Sequence, residues 1–267
     1  MKGTRKGLAE TVAGVAAADM DEAWERLARP TVSPAGFDPA RTESLPEPAR
    51  RWLTHVIAPG TPLARAVTLD MCGHIRLGRW IRFRAVQAHA PPAGFIWAAR
   101  VGWGPVWLGG YDRYLDASGE MRWRLFGRIP VMSASGPDID RSAAGRVALD
   151  SLLVPTAWLQ EAVTWRTGDS DDTVVAEWHV DDQTLPVTLT VGPDGALRSL
   201  IMPRWAQPGS GYPWGAYPCG GTFADETDFD GVKLNRTIRA GYFYGTDKWD
   251  SPAGEFFRAE ITQARFV

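Results

Sequence analysis

The sequence predicts a mainly β protein: one large antiparallel sheet, curled into a barrel or half-barrel of about eleven strands, with N-terminal helices and one mid-chain helical segment. Three observations point there. From residue 66 onward apolar and polar residues alternate with a period of two, which is the period of a strand burying one face. The alternating runs are short and separated by turn-forming residues. Helical spacing is confined to the first 56 residues and to a stretch around residues 142–164.

The elements follow in order. Lys2, Arg5 and Lys6 precede a small apolar stretch, Val12 to Ala18. Leu8, Val12 and Val15 keep helical spacing and Glu10 interrupts the apolar run, so an amphipathic helix accounts for it without a signal peptide. Pro30, Pro34, Pro39, Pro46 and Pro48 preclude a continuous helix and mark an extended linker. Residues 1–48 therefore read as a helix and linker, and residues 49–267 as a single barrel-like domain. A short helix opens it, with Leu45, Ala49, Trp52, Leu53 and Val56 at helical spacing and Pro46 and Pro48 in a first turn that tolerates them.

Faces can then be assigned. Val67, Leu69, Met71, Ile75 and Leu77 share one face, and Thr68, Asp70, Cys72, His74 and Arg76 the other. Ile81, Phe83 and Ala85 point in while Arg82 and Arg84 point out; Met121, Trp123 and Leu125 point in while Arg122 and Arg124 point out. Further strands are expected over 95–101, 106–115, 120–126, 173–180, 185–191, 197–202, 222–229, 232–244 and 256–266. Ser142 is the expected cap of a helix carrying Ala143, Val147, Leu149 and Leu152, ended by Pro155, with a second short helix from Trp158 to Val163. The stretch Pro203 to Gly221, with Trp205, Tyr212, Trp214 and Tyr217 among prolines and glycines, reads as a long aromatic loop or lid.

Composition narrows the function. The chain has 29 basic and 31 acidic residues, a net charge of −2, which provides no general field for nucleic acid. Cys72 and Cys219, the two thiols, read as free, and with no secretory signal the expected compartment is the cytoplasm. No segment has the roughly 20 apolar residues of a membrane span. The nucleophile elbow, phosphate loop, dinucleotide fingerprint and paired-histidine motifs are absent from the sequence, so no cofactor is expected. Asp70, Cys72 and His74 share a strand face, but the second cluster that a metal site needs is missing, and no metal is expected.

More telling are polar residues on the apolar side of the alternation. Gln87 continues the face of Phe83 and Ala85, Asp112 and Tyr114 continue that of Leu108 and Gly110, and Arg236 sits between Leu234 and Ile238. Buried charges need partners, so either Asp112 and Arg236 pair inside the barrel or both line a cavity. Gly110, lacking a side chain, would leave room for a ligand beside Asp112. The 13 tryptophans, several in glycine- and proline-rich stretches, favour a cavity, although aromatic loops also suit a partner surface.

The run Phe83, Ala85, Gln87, Pro92, Gly94, Phe95, Trp97, Ala98, Asp112, Tyr114, Gly119 and Met121 resembles an uncharacterised bacterial domain family that carries only a domain-of-unknown-function label, itself related to lipocalin-like and LolA-like carriers. The resemblance runs from about Leu45 to the end and includes Ala148-Leu149-Asp150 up to Pro155, with Leu153 where the family pattern has a tryptophan. It implies a curled sheet with an apolar interior and names no reaction.

Three functions compete. One is a cofactor-independent enzyme cyclising, isomerising, hydrating or eliminating on an apolar small molecule such as a polyketide or terpenoid, with Asp112 as acid or base, Asp150 as a second acid, and Arg236 or Tyr114 stabilising an oxyanion. Gln87, Phe95, Trp97, Trp123, Trp205, Trp214, Tyr242 and Tyr244 would shape its cavity. The second is a carrier or sensor of a hydrophobic ligand using the same cavity. The third is an interaction module built on the aromatic loops. Monomer and homodimer both remain open.

Overall fold

Alternation leaves each strand with one face to bury, and a sheet of many such strands buries them together by curling. A computed structural model describes residues 17–29 and 33–267. Helix α1 (Ala17–Leu27) comes first, followed by β1 (Ser33–Gly36), a 3-10 turn (Pro39–Thr42), α2 (Glu47–Val56) and β2 (Pro62–Leu63), which pairs with β1. Six strands then form a meander: β3 (Val67–Leu77), β4 (Arg79–Ala90), β5 (Gly94–Trp103), β6 (Val106–Leu115), β7 (Ser118–Leu125) and β8 (Ile129–Ser135). After α3 (Pro137–Asp150) and two 3-10 turns, a second meander follows. It comprises β9 (Val163–Thr167), β10 (Thr173–Val180), β11 (Gln183–Val191), β12 (Leu197–Ala206), β13 (Gly215–Phe229), β14 (Val232–Tyr242) and β15 (Glu255–Phe266).

The two meanders join where β15 pairs with β3, Phe266 opposite Val67 and Phe257 opposite Ile75. The result is one antiparallel sheet of 13 strands, curled into a half-barrel, with β8 and β9 at its edges. Helix α3 links those edges and touches β5–β8 on one side and β10–β12 on the other, so it lies inside the curl. Its buried residues Ala143, Ala144, Gly145, Val147 and Ala148 are small enough for close approach. Under the neighbouring 3-10 turns Trp158 packs edge-on against Trp52 (5.1 Å) and Trp178 (5.2 Å).

Helix α1 covers the outer surface: Met20, Ala23, Trp24 and Leu27 pack on Val86, Ala88, Ile96, Ala98 and Tyr111. Strands β4 and β5 are thus buried on both faces here, which is why residues 85–89 are all buried and alternation fades. Elsewhere the expected faces hold. Phe83 and Trp123 are buried, Ile81, Met121 and Leu125 partly so, Arg82, Arg84 and Arg122 are exposed, and Arg124 is half-exposed.

Several expectations are corrected. The helix placed at Ser142 begins at Pro137, because a proline suits a first turn and Asp138 and Asp140 favour a helix N-terminus. The segment read as a second helix is a 3-10 turn, Pro155–Leu159, and Val163 already starts β9. Strand β8 was not anticipated. The long loop Pro203 to Gly221 is mostly ladder: β12 and β13 pair down to Ala206 opposite Gly215, and Pro203 faces Pro218, so the two residues lacking an N–H meet each other. The helix expected at Leu8, Val12 and Val15 lies outside the described residues.

Candidate functional site

A cavity of about 380 Å³ lies between α3 and the concave sheet. Met71, Trp97, Leu149, Leu153, Ile238 and Phe257 make much of its wall apolar. A polar group stands at one side. Arg146, from the middle of α3, donates from Nη1 to Asp112 Oδ2 (3.0 Å) and from Nε to Asp150 Oδ2 (3.1 Å), one helical turn on. Asp112 Oδ1 accepts from Trp123 Nε1 (3.0 Å), and Asp150 Oδ2 also accepts from Gln87 Nε2 (2.9 Å). The guanidinium of Arg146 lies over the rings of Phe95 (4.6 Å) and Trp97 (5.2 Å), a cation–π arrangement on two faces of the site.

Burial pushes the Asp112 carboxyl above its usual range, against the opposing pull of Arg146 and Trp123. Arg204, from β12, reaches the same cavity and donates to the Ser142 carbonyl (3.1 Å) and hydroxyl (3.3 Å). Among the described residues it forms no ion pair. Its guanidinium sits near Tyr242, 5.9 Å from the ring centre, whose phenol burial pushes up. Glu120, next to Met121 at the rim but turned to the outer face, pairs with Arg113 (2.7 Å) and Arg122 and accepts from the Tyr111 hydroxyl (3.1 Å). Beneath the site His89, on the same strand face as Gln87, is fully buried with neither ring nitrogen bonded; burial pushes its imidazole down to about 4, against the charge of Asp150.

Of the residues expected from sequence, Gln87, Phe95, Trp97, Asp112, Asp150, Trp214 and Tyr242 line the cavity. Trp123 stands behind it, against Trp97 at 5.9 Å. The others are elsewhere. Tyr114 donates to Asp181, and burial together with that bond pushes its phenol up. Trp205 donates to Asp138 (2.8 Å), and Tyr244 packs on Trp249. Both alternatives for Arg236 are corrected: it neither pairs with Asp112 nor lines the cavity, bonding instead the Ile261 carbonyl (3.2 Å) and Glu260, and the cation facing Asp112 is Arg146. Gly110 leaves no room for a ligand either. The Trp123 indole fills the space, and a Cβ at Gly110 would fall 2.5 Å from it.

Arg146 and Arg204 were missed. Arg146 had a legible signal, four residues before Asp150 and so on the same helical face. Arg204 continues the inward parity of Leu200 and Met202, but the strand was ended before it at Pro203. Cys72 and Cys219 are free thiols, and among the described residues no group of three or more His, Cys, Asp or Glu could hold a metal.

The fold and cavity together define a curled antiparallel half-barrel closed by an internal helix. The chain belongs to DUF6544, a family of unknown function, which it matches over residues 35–253. No curated protein matches it. Among solved structures it is similar to a domain described as an outer membrane lipoprotein-sorting protein from Vibrio parahaemolyticus, at 9% identity and a TM-score of 0.41, covering 84% of this chain and 93% of that one. It is also similar to a LolA superfamily protein from Nitrosomonas europaea, at 9% identity and a TM-score of 0.44, covering 82% of this chain and 92% of that one. Neither likeness bears on what the cavity holds.

Proposed function

We propose that this chain binds an apolar small molecule with a polar end in the cavity under α3, as a carrier or sensor. The observation that carries this reading is the pairing inside the cavity: Asp112 and Asp150 are both bonded to Arg146, which leaves no free carboxylate in a largely apolar wall. The spare donors of Arg204 would meet the ligand's polar end, and the aliphatic and aromatic wall would take the rest. Titration with the neutral apolar dye N-phenyl-1-naphthylamine tests it. The wild-type protein should show saturable fluorescence enhancement, and Ala240→Trp, which fills the cavity from β14, should weaken it about tenfold or more, the scale of losing roughly 1.4 kcal/mol of contact. Equal binding by the two proteins would overturn the reading.

A second reading has one observation in its favour. The raised Asp112 carboxyl is the kind of group that serves as a general acid, in a cofactor-independent cyclisation, isomerisation, hydration or elimination. It ranks second because both Asp112 oxygens are already engaged.

A further inference from the structure

The near-neutral total hides a segregation of charge. From Met71 to Tyr111 there is no aspartate or glutamate, yet Arg76, Arg79, Arg82, Arg84 and Arg100 fall in that stretch. Met121 to Pro137 is also free of acids and carries Arg122, Arg124 and Arg128. These stretches supply most of β3–β8, the half of the sheet that ends at the β8 edge. Phe83 and Val101 are buried inward, so Arg82, Arg84 and Arg100 lie on the outer face. Arg84 stands directly opposite Arg100, and His74 lies between Arg82 and Arg258. Like charges set opposite one another across a ladder cost stability. Glu255 bonds both Arg239 and Arg258, and Glu260 on the same outer face is taken by Arg236; Arg82, Arg84, Arg100 and Arg128 form no ion pair among the described residues.

The same half carries the exposed apolar groups. Its strands alternate in direction, so the β3–β4, β5–β6 and β7–β8 turns lie side by side at one end. Leu77, Val106, Phe126 and Ile129 stand at those turns, with Val131 and Met132 next along β8; all six are 41% to 57% exposed, and among the described residues they are the large apolar side chains so exposed. Trp107 packs edge-on against Phe126 (6.3 Å), Arg100 lies over Trp107 (4.2 Å), and Trp80 takes Arg258 (4.3 Å) over its ring. Apolar tips, then a tier of arginines and tryptophans, match the layering of a bilayer surface from acyl boundary to phosphates.

We propose that this end of the sheet docks on an anionic lipid bilayer, with Leu77, Val106, Phe126 and Ile129 entering the acyl boundary and Arg82, Arg100 and Arg128 meeting lipid phosphates. The reach is adequate: Arg82 and Arg100 stand three to four residues from their turns, about 10–13 Å at the rise of a strand. A nucleic acid would use the arginines but leave the apolar tips in water. The inference is independent of what the cavity holds.

Co-sedimentation with vesicles tests it, using phosphatidylcholine alone or mixed with phosphatidylglycerol. The full chain should sediment with the mixed vesicles and be released by rising salt. Arg82→Gln/Arg100→Gln should bind them about 30-fold more weakly, at about fivefold for each arginine near a charged surface. Phe126→Ser/Ile129→Ser should also weaken binding tenfold or more while keeping the salt dependence. All four positions are exposed, so both variants should keep the wild-type circular dichroism. Failure of the wild-type chain to sediment with mixed vesicles, wild-type binding by both variants, or tighter binding to a DNA duplex than to the vesicles would overturn the proposal.

Discussion

Arg146 holds two carboxylates and two aromatic rings at once, so its partners are coupled. Removing its charge leaves both carboxylates buried without a counterion, which costs far more than the intact group contributes. Arg146→Met should therefore destabilise the protein by roughly 3–5 kcal/mol in urea unfolding, and adding Asp112→Asn and Asp150→Asn to it should recover much of the loss. An Arg146→Met variant as stable as wild type would show that the two carboxylates do not rely on this cation. His89 makes a separate, pH-dependent contribution. Its folded value near 4 lies below the unfolded value near 6.5, so between them the unfolded chain takes up a proton that the folded chain refuses. The contribution is complete above about pH 6.5 and is lost progressively as pH falls towards 4, by about 3 kcal/mol at most. Urea midpoints of wild type should fall over this window more steeply than those of His89→Leu; parallel curves would remove His89 as a cause.

At the level of elements, α3 decides whether there is a cavity at all. Its docking against β7 depends on Gly119, where a Cβ would lie 2.7 Å from the Ile139 carbonyl oxygen and 2.9 Å from the Ala143 Cβ. The Gly119 amide also donates to Asp140 Oδ1 (2.7 Å), tying the first turn of the helix to the strand. Gly119→Ala should push the helix off the sheet and destabilise by about 1–3 kcal/mol, the usual cost of overpacking. It should also change dye binding, since Arg146 and Leu149 move with the helix; unchanged melting and unchanged binding would show that α3 docks without this contact. Elsewhere the elements follow local chemistry. Asp230 and Gly231, both in the left-handed region (φ 54 and 88), close the two-residue turn between β13 and β14, as an Asp-Gly pair does.

For the whole molecule, one long-range seam joins two locally paired meanders. Pairings within each meander are between strands close in sequence, whereas β3 and β15 meet across nearly the whole described chain. Closing such a seam orders a long loop before any contact rewards it, so the half-barrel is the costly, late feature of the architecture. The curl also sets the charge pattern, bringing arginines scattered along β3–β8 onto one outer surface while the cavity keeps its carboxylates paired. Net charge therefore described this protein poorly; its distribution over the curled sheet matters more.

The sequence by itself determined the β class, the strand faces around Phe83 and Trp123, the α2 helix, and seven residues of the cavity wall, because strand and helix periods are local and each residue's face follows from its neighbours. Asp112 was legible from its position on an inward face, whereas Asp150 came from the family resemblance; both line the cavity. Only the tertiary structure decided who faces whom. Parity along a strand says that Asp112 and Arg236 both point inward, but not that α3 enters the curl to set Arg146 between Asp112 and Asp150 while Arg236 turns to Glu260. Nor could parity show that Trp123 fills the space above Gly110, or that proline-rich β12 and β13 pair by placing Pro203 against Pro218. Those outcomes depend on register and on contacts between residues far apart in the chain, which local periodicity does not encode.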